Sequence, residues 1–163
     1  MRTGIGFDFH RLVEGRPLVL GGVRIPWERG LLGHSDADAL IHAVCDALLG
    51  AAGLGDIGRH FPDTDPRFRG IASVRLLESC RRLAAERGLA VVNVDAVILA
   101  EAPRIAPYRS EMQANIARAL ATAADRVNVK ATTMEGCGAV GRGEGIGAMA
   151  TVLLAPTDAA PPA

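Results

Sequence analysis

Apolar residues alternate with polar ones in some stretches of the chain and recur every three to four positions in others, and the two periods predict different elements. Ile5 to Leu12 alternates and reads as a strand. Leu18-Val19-Leu20 and Val23-Arg24-Ile25 flank Gly21-Gly22, the composition of a tight hairpin, and Pro26 ends the second arm. Behind Asp36, which can cap a helix, Leu40, Ile41, Val44, Ala47, Leu48 and Ala51 keep helical spacing until Gly53. Ser73 caps a second helical run that carries Val74, Leu76, Leu77 and Leu83 and stops at Gly88. Val91 to Leu99 reads as a strand, Ser110 to Ala123 as a third helix, and Val127 to Thr133 and Ala148 to Leu154 as further strands. Leu54 to Gly70, rich in Gly, Pro and Asp, reads as a loop, and a loop this long in a compact domain is more often functional than idle. The order predicts an α+β fold, a single-layer mixed β-sheet with helices packed on one face. No internal repeat or linker interrupts it, so residues 1–155 are expected to form one domain and the Pro- and Ala-rich 156–163 a disordered tail.

Composition narrows the function classes. With 49% hydrophobic residues among 163, the chain can bury a core without disulfides or a structural metal. Lys plus Arg and Asp plus Glu both number 18, which excludes a general nucleic-acid field and leaves phosphate recognition to local groups. Cys45, Cys80 and Cys137 form no C-x-x-C pair, which points to a reduced compartment and argues against thiolate zinc; each is expected as a small core residue. No signal peptide and no apolar run near the ~20 residues of a membrane span is visible, so the expected location is cytoplasmic.

Candidate chemistry begins at Asp8-Phe9-His10, where a strand period of two sets Asp8 and His10 on one face. A third nitrogen from a nearby helix would complete a zinc site with an open fourth position, the arrangement of a catalytic zinc. On the first helix, Asp38, His42 and Asp46 follow at i, i+4 and i+8. Alone, each of these residues also reads as an ordinary structural polar group. His34-Ser35-Asp36-Ala37-Asp38 sets an imidazole and a hydroxyl at that helix's start, where free N–H groups favour an anion; the same stretch also reads as a plain capping segment. Lys130-Ala131-Thr132-Thr133-Met134-Glu135, ahead of a glycine-rich stretch to Gly147, offers hydroxyls and a carboxylate for phosphate and Mg²⁺, or simply β-formers and a wide turn. No Walker motif is present, and Gly4-x-Gly6 lacks the rest of a dinucleotide fingerprint.

Gly6-Phe7-Asp8-x-His10, Gly21-Gly22-Val23-x-Ile25-Pro26, His34-Ser35-Asp36-x-Asp38, Leu54-Gly55-Asp56-Ile57-Gly58, Phe61-Pro62-Asp63-Thr64-Asp65, Asn128-Val129-Lys130-Ala131-Thr132-Thr133-x-Glu135 and Gly141-Arg142-x-Glu144-Gly145 together resemble the 2-C-methyl-D-erythritol 2,4-cyclodiphosphate synthase family of the non-mevalonate isoprenoid pathway. The likeness runs in order from about Arg2 to Ala155.

The resemblance implies a phosphorus–oxygen lyase that converts 4-diphosphocytidyl-2-C-methyl-D-erythritol 2-phosphate to the 2,4-cyclodiphosphate and CMP. It implies one Zn²⁺ per subunit on Asp8, His10 and His42, and Mg²⁺ or Mn²⁺ on Glu135 between the α- and β-phosphates. His34 and Thr133 match the transition-state stabilisers, with Ser35 and Thr132 as further phosphate contacts. Asp8, Phe9 and His10 match a substrate-contacting segment, and Asp56, Ile57, Gly58, Phe61, Pro62, Asp63, Thr64 and Asp65 match those that bind the methylerythritol phosphate portion. Ala100, Glu101, Ala102, Pro103, Arg104, Ile105 and Ala106, with Ala131, Thr132 and Thr133, match the cytidine pocket, and Met134 and Glu135 are further substrate-binding positions. The family assembles as a homotrimer with active sites between subunits, zinc ligands from one and cytidine contacts from its neighbour.

Two positions depart from the family. Arg104 stands where many members have Lys, which changes donor geometry. Ala139 stands where some carry an aromatic; there, with Arg142, the family lines a trimer-axis cavity that can hold an isoprenoid diphosphate, although Arg142 and Glu144 equally read as an ion pair between subunits. Two other functions fit parts of the pattern: a zinc-dependent phosphoesterase, with water as nucleophile and a linear product, and a non-catalytic trimeric nucleotide or isoprenoid-diphosphate binder. Neither expectation includes a nucleic-acid or membrane partner.

Overall fold

The computed structural model describes residues 1–157. Strand β1 (Arg2–Glu14) is followed by the hairpin β2 (Leu18–Leu20) and β3 (Val23–Ile25), a short β4 (Arg29–Leu31), helix α1 (Ala39–Ala52), the single turn α2 (Ile57–His60) and α3 (Ser73–Glu86). Then come β5 (Leu89–Leu99), α4 (Arg109–Leu120), β6 (Val127–Thr132), the turn α5 (Gly138–Gly141) and β7 (Gly145–Pro156). Five strands form one sheet in the order β4-β1-β7-β5-β6, parallel between β5 and β6 and antiparallel elsewhere. The expected mixed sheet with helices on one face is what the chain forms.

Helix α1 is apolar around nearly its whole circumference, as a helix must be when it is covered on all sides. It lies between the sheet and α3 and shares one buried core with Val94, Ala96, Ile98, Ile146, Ala148, Ala150 and Val152 of the strands. The contact with β1 is unusually close. A Cβ on Gly4 would stand 2.0 Å from the Ala47 carbonyl oxygen, and one on Gly6 would stand 2.1 Å from that of Ala43. Two glycines on one strand face therefore let helix backbone rest on strand backbone, which brings His42 down beside Asp8 and His10.

Helix α1 is capped by Asp38, not by Asp36 as the spacing suggested. The Asp38 carboxylate is fully buried and accepts from the N–H groups of Ile41 (3.0 Å), Gly21 (2.9 Å) and Gly22 (2.7 Å). One carboxylate thus starts the helix and docks the hairpin turn, whose glycines take positive φ of 59° and 71°. Ser73 is likewise not a cap: Ala72 holds that position, and the Ser73 hydroxyl turns inward.

Other boundaries shift by a few residues. β1 is longer than expected, β4 is too short to show a period, α4 ends at Leu120 with Ala121 left-handed (φ 52°), and Thr133 lies beyond the end of β6. The long loop contains α2 and a 3-10 turn at Pro66–Phe68. Pro156, expected to open the tail, pairs with Leu89, and the Thr157 N–H donates to the Gly88 carbonyl at 2.9 Å; the remainder of that expected tail, 158–163, lies outside the described residues. Cys45 and Cys80 are buried as expected, whereas Cys137 is exposed because it caps the surface turn α5.

Candidate active site

Asp8 and His10 leave β1 on the face that carries Gly4 and Gly6, and His42 comes down from the first turns of α1. Asp8 Oδ2 lies 2.8 Å from His10 Nε2 and 3.0 Å from His42 Nδ1, and the two ring nitrogens are 3.2 Å apart. These are the only three residues among those described whose acidic, imidazole or thiol atoms cluster closely enough to share a metal ion. Ligands on tetrahedral zinc, at bonds of about 2.0–2.1 Å, stand about 3.3 Å apart, so the trio fits with small outward adjustment.

Each ligand's far side is held. The His10 Nδ1–H donates to the Leu32 carbonyl at 2.7 Å, which leaves Nε2 for the centre of the site. Gly33 makes room for that ring, since a Cβ there would approach His10 Cε1 to 3.2 Å. His42 Nε2 faces the hydroxyls of Ser73 at 2.8 Å and Ser35 at 3.2 Å. Arg16 donates to the carbonyls of Gly33 (3.0 Å) and Ser35 (2.8 Å) and so fixes the connecting segment.

The charges of the trio act strongly on one another. Burial works against the charge on Asp8, but hydrogen bonds from His10 and His42 and their positive charge outweigh it, and the carboxyl lies well below its ordinary range. Burial likewise opposes imidazolium at His10, yet the hydrogen bond and charge of Asp8 and the Leu32 carbonyl win, and its pKa is raised.

The trio opens into a cavity of about 480 Å³, within the usual range for small-molecule sites. Gly33, His34, Ser35, Asp46, Ile57, Gly58, Phe61, Pro62, Asp63, Phe68 and Leu76 complete its wall. The lining carries the carboxylates of Asp8, Asp46 and Asp63 and neither lysine nor arginine. A metal ion on the trio would offset that negative charge for an anionic ligand.

The loop that covers the cavity is tied down at named points. Asp46 Oδ1 accepts the Ile57 N–H at 2.7 Å, and burial pushes its carboxyl pKa up. The His34 Nε2–H donates to the Asp65 carbonyl at 3.1 Å. Asp56 caps α2 through the Arg59 N–H, and Asp65 is engaged by Arg67, which lowers its pKa. Neither carboxylate lines the cavity, nor does exposed Thr64. Asp46 was visible as a neighbour of His42 at i+4, but Gly33, Phe68 and Leu76 gave no signal in the sequence.

The remaining expected site residues gather elsewhere. The β5–β6 register places Ile98 beside Ala131 and Leu99 beside Thr132, and the Ala100 N–H donates to the Thr132 carbonyl at 3.0 Å. Ala100–Ala106 and Ala131–Glu135 therefore form a second cluster at the ends of these strands, outside the cavity wall. Within it, Glu101 accepts from the N–H groups of Met134 (2.7 Å) and Gly136 (3.4 Å), the Thr133 hydroxyl donates to Glu135 at 2.9 Å, and the side chain of Ile105 is buried in the core. Phe9 points to the sheet face opposite Asp8 and His10, and Arg142 pairs with Glu144 at 2.6 Å within the chain.

Fold and site define a class: a small α+β protein with a metal-ligand triad at the mouth of a small-molecule cavity. The chain belongs to the YgbB family, whose pattern it matches over residues 1–155. It is 62% identical over 154 residues to the 2-C-methyl-D-erythritol 2,4-cyclodiphosphate synthase of Desulfatibacillum aliphaticivorans, covering 94% of this chain and 99% of that protein. Among solved structures, a CDP-bound 2C-methyl-D-erythritol-2,4-cyclodiphosphate synthase superposes with a TM-score of 0.87 at 44% identity, over 94% of this chain and all (100%) of that one. The bifunctional IspDF of Campylobacter jejuni superposes with a TM-score of 0.90 at 45% identity, over 94% of this chain and 42% of that longer one.

Proposed function

We propose that the chain is a cyclising phosphorus–oxygen lyase that converts 4-diphosphocytidyl-2-C-methyl-D-erythritol 2-phosphate to 2-C-methyl-D-erythritol 2,4-cyclodiphosphate and CMP, a step in isoprenoid precursor synthesis. The observation that carries the reading is the metal-ligand triad set in a cavity of carboxylates, joined to a family whose named relatives perform this reaction.

In the reaction an oxygen of the substrate's 2-phosphate attacks the β-phosphorus in line; a P–O bond forms there as the bond to the CMP oxygen breaks. The nucleophile is already ionised, so the protein needs no base and works by positioning and charge stabilisation. Asp8, His10 and His42 would hold one Zn²⁺, whose chemistry there would be to supply positive charge to the diphosphate. Glu135 would take a Mg²⁺ or Mn²⁺ ion with the diphosphate. His34 and Ser35 sit side by side on the cavity wall, where imidazole and hydroxyl can meet a phosphate oxygen. Ile57, Gly58, Phe61, Pro62 and Asp63 receive the methylerythritol portion.

Thr132, Thr133, Glu135 and the Ala100–Ala106 segment serve the cavity of a neighbouring subunit in a homotrimer. Support comes from the sheet face that the helices leave bare, where Ile5 (67% exposed), Phe7 (55%) and Met149 (38%) form an apolar surface that one chain alone gives to water. The enzyme is read as cytoplasmic, where its charged nucleotide substrate would be.

Phosphorus NMR of metal-replete protein with the substrate and Mg²⁺ tests the assignment. The expected products are the cyclic diphosphate and CMP. A linear hydrolysis product would instead support the phosphoesterase reading, and no turnover would overturn both.

A further inference from the structure

Ser73 is the first residue of α3 and is fully buried, 31 positions along the chain from the His42 that its hydroxyl meets. Its Oγ lies 2.8 Å from His42 Nε2 and 2.5 Å from Asp36 Oδ1, while Asp36 Oδ2 accepts the Ser73 backbone N–H at 3.0 Å. An ionised carboxylate only accepts, so the hydroxyl proton of Ser73 goes to Asp36. The Ser73 oxygen must then accept from His42, which places a proton on Nε2. With its Nε2 proton held by Ser73, His42 has only Nδ1 left to offer a metal ion; in the metal-free site that nitrogen lies 3.0 Å from Asp8 Oδ2, to which it can give a second, displaceable proton.

Ser35 does not disturb this order. Its Oγ lies farther from His42 Nε2, at 3.2 Å, and already accepts the Ala37 N–H at 3.1 Å. A proton given by Ser35 to a bare Nε2 would leave that nitrogen's lone pair against the Ser73 oxygen, whose own proton is committed to Asp36.

We propose that Asp36 and Ser73 are positioning residues of the metal centre: the carboxylate, acting through the serine hydroxyl, holds a proton on His42 Nε2 and aims Nδ1 at the metal. The inference deepens the metal reading above and rests on it. The same carboxylate receives the first N–H of α3, so a single group seats that helix and sets the ligand's protonation. Outer groups of this kind typically change metal affinity about 10–100-fold when removed.

The test uses metal-free protein carrying ¹⁵N-histidine, read by imidazole nitrogen shifts, and Zn²⁺ competition with a chromophoric chelator. Wild-type His42 is expected to keep a proton on Nε2 throughout, with only the Nδ1 signal responding to Asp8 and to added Zn²⁺. Ser73→Ala releases the constraint, so the ring becomes a mixture of tautomers and Zn²⁺ binds about 10–100-fold more weakly. Asp36→Asn goes further: the amide donates to the Ser73 oxygen, the hydroxyl turns to His42 Nε2, and the proton moves to Nδ1, where it blocks the ligand position. A purely structural role predicts lower melting temperatures in both variants with tautomer and Zn²⁺ affinity unchanged, and that result in folded protein overturns the proposal. Wild-type protein that takes up no Zn²⁺ while its His42 tautomer still responds to both substitutions overturns the metal reading alone.

Discussion

Gly6→Ala tests whether the close seating of α1 on β1 is what assembles the metal site. The added Cβ would stand 2.1 Å from the Ala43 carbonyl oxygen and 2.7 Å from the Ala47 nitrogen, and both obstacles are backbone, which no rotamer change can move. Such contacts do not persist below 3.0 Å, so helix and strand must part by about 0.9 Å or more. Overpacking of this kind costs about 1–3 kcal/mol. For a chain of this size that is a melting-temperature fall of about 2–12 °C. The larger consequence is geometric. Gly6 precedes Asp8 and His10 on one element, and Ala43 follows His42 on the other, so the separation is transmitted to the ligands, whose distances a metal tolerates to only about ±0.2 Å. Circular-dichroism melts of the metal-free protein and Zn²⁺ competition measure the two effects separately. A variant that melts early but binds Zn²⁺ like wild type would refute the link between seating and site; one unchanged in both would refute the close contact itself.

Gly50→Ala is expected to do the opposite: it lies in α1 at an exposed position with no atom nearer than 4.0 Å to an added Cβ, so it should raise stability by about 0.5–1 kcal/mol in denaturant titrations. His42→Ala should lose Zn²⁺ and turnover together, whereas Glu135→Ala should keep Zn²⁺ by metal analysis while losing turnover; full Zn²⁺ occupancy in His42→Ala would overturn the ligand assignment. In metal-free protein the raised pKa of His10 contributes stability that is fully present below the unfolded value of 6.5 and lost as pH rises through the folded value. The lowered Asp8 contributes above 3.8 and is lost only in strong acid, so wild type should lose stability relative to His10→Gln as pH rises above 6.5, and a flat difference would contradict the coupling. Phe7→Glu on the bare sheet face should shift the protein to monomer by size-exclusion chromatography, with turnover lost because the Ala131–Glu135 cluster no longer reaches a neighbour's cavity.

What the amino-acid order determined by itself was everything with a short period. Alternation put Asp8 and His10 on one strand face, the paired glycines at 21 and 22 made the hairpin, and apolar residues at helical spacing made α1. The ordered motifs carried the family. The resemblance singled out His42, but only tertiary structure showed why it, of three acidic or imidazole groups on one helix face, joins Asp8 and His10. Asp38 turns inward to the hairpin amides and Asp46 to the Ile57 amide, so His42 alone meets Asp8. The same is true of Ser73, which reads as a cap in sequence and becomes the partner of His42 because α3 packs across α1. Gly4 and Gly6 look idle beside a missing fingerprint, yet their absent side chains set the distance between strand and helix. The physical reason is one of range: propensity and periodicity act over a few residues, whereas a metal site depends on how far apart distant backbones come to rest.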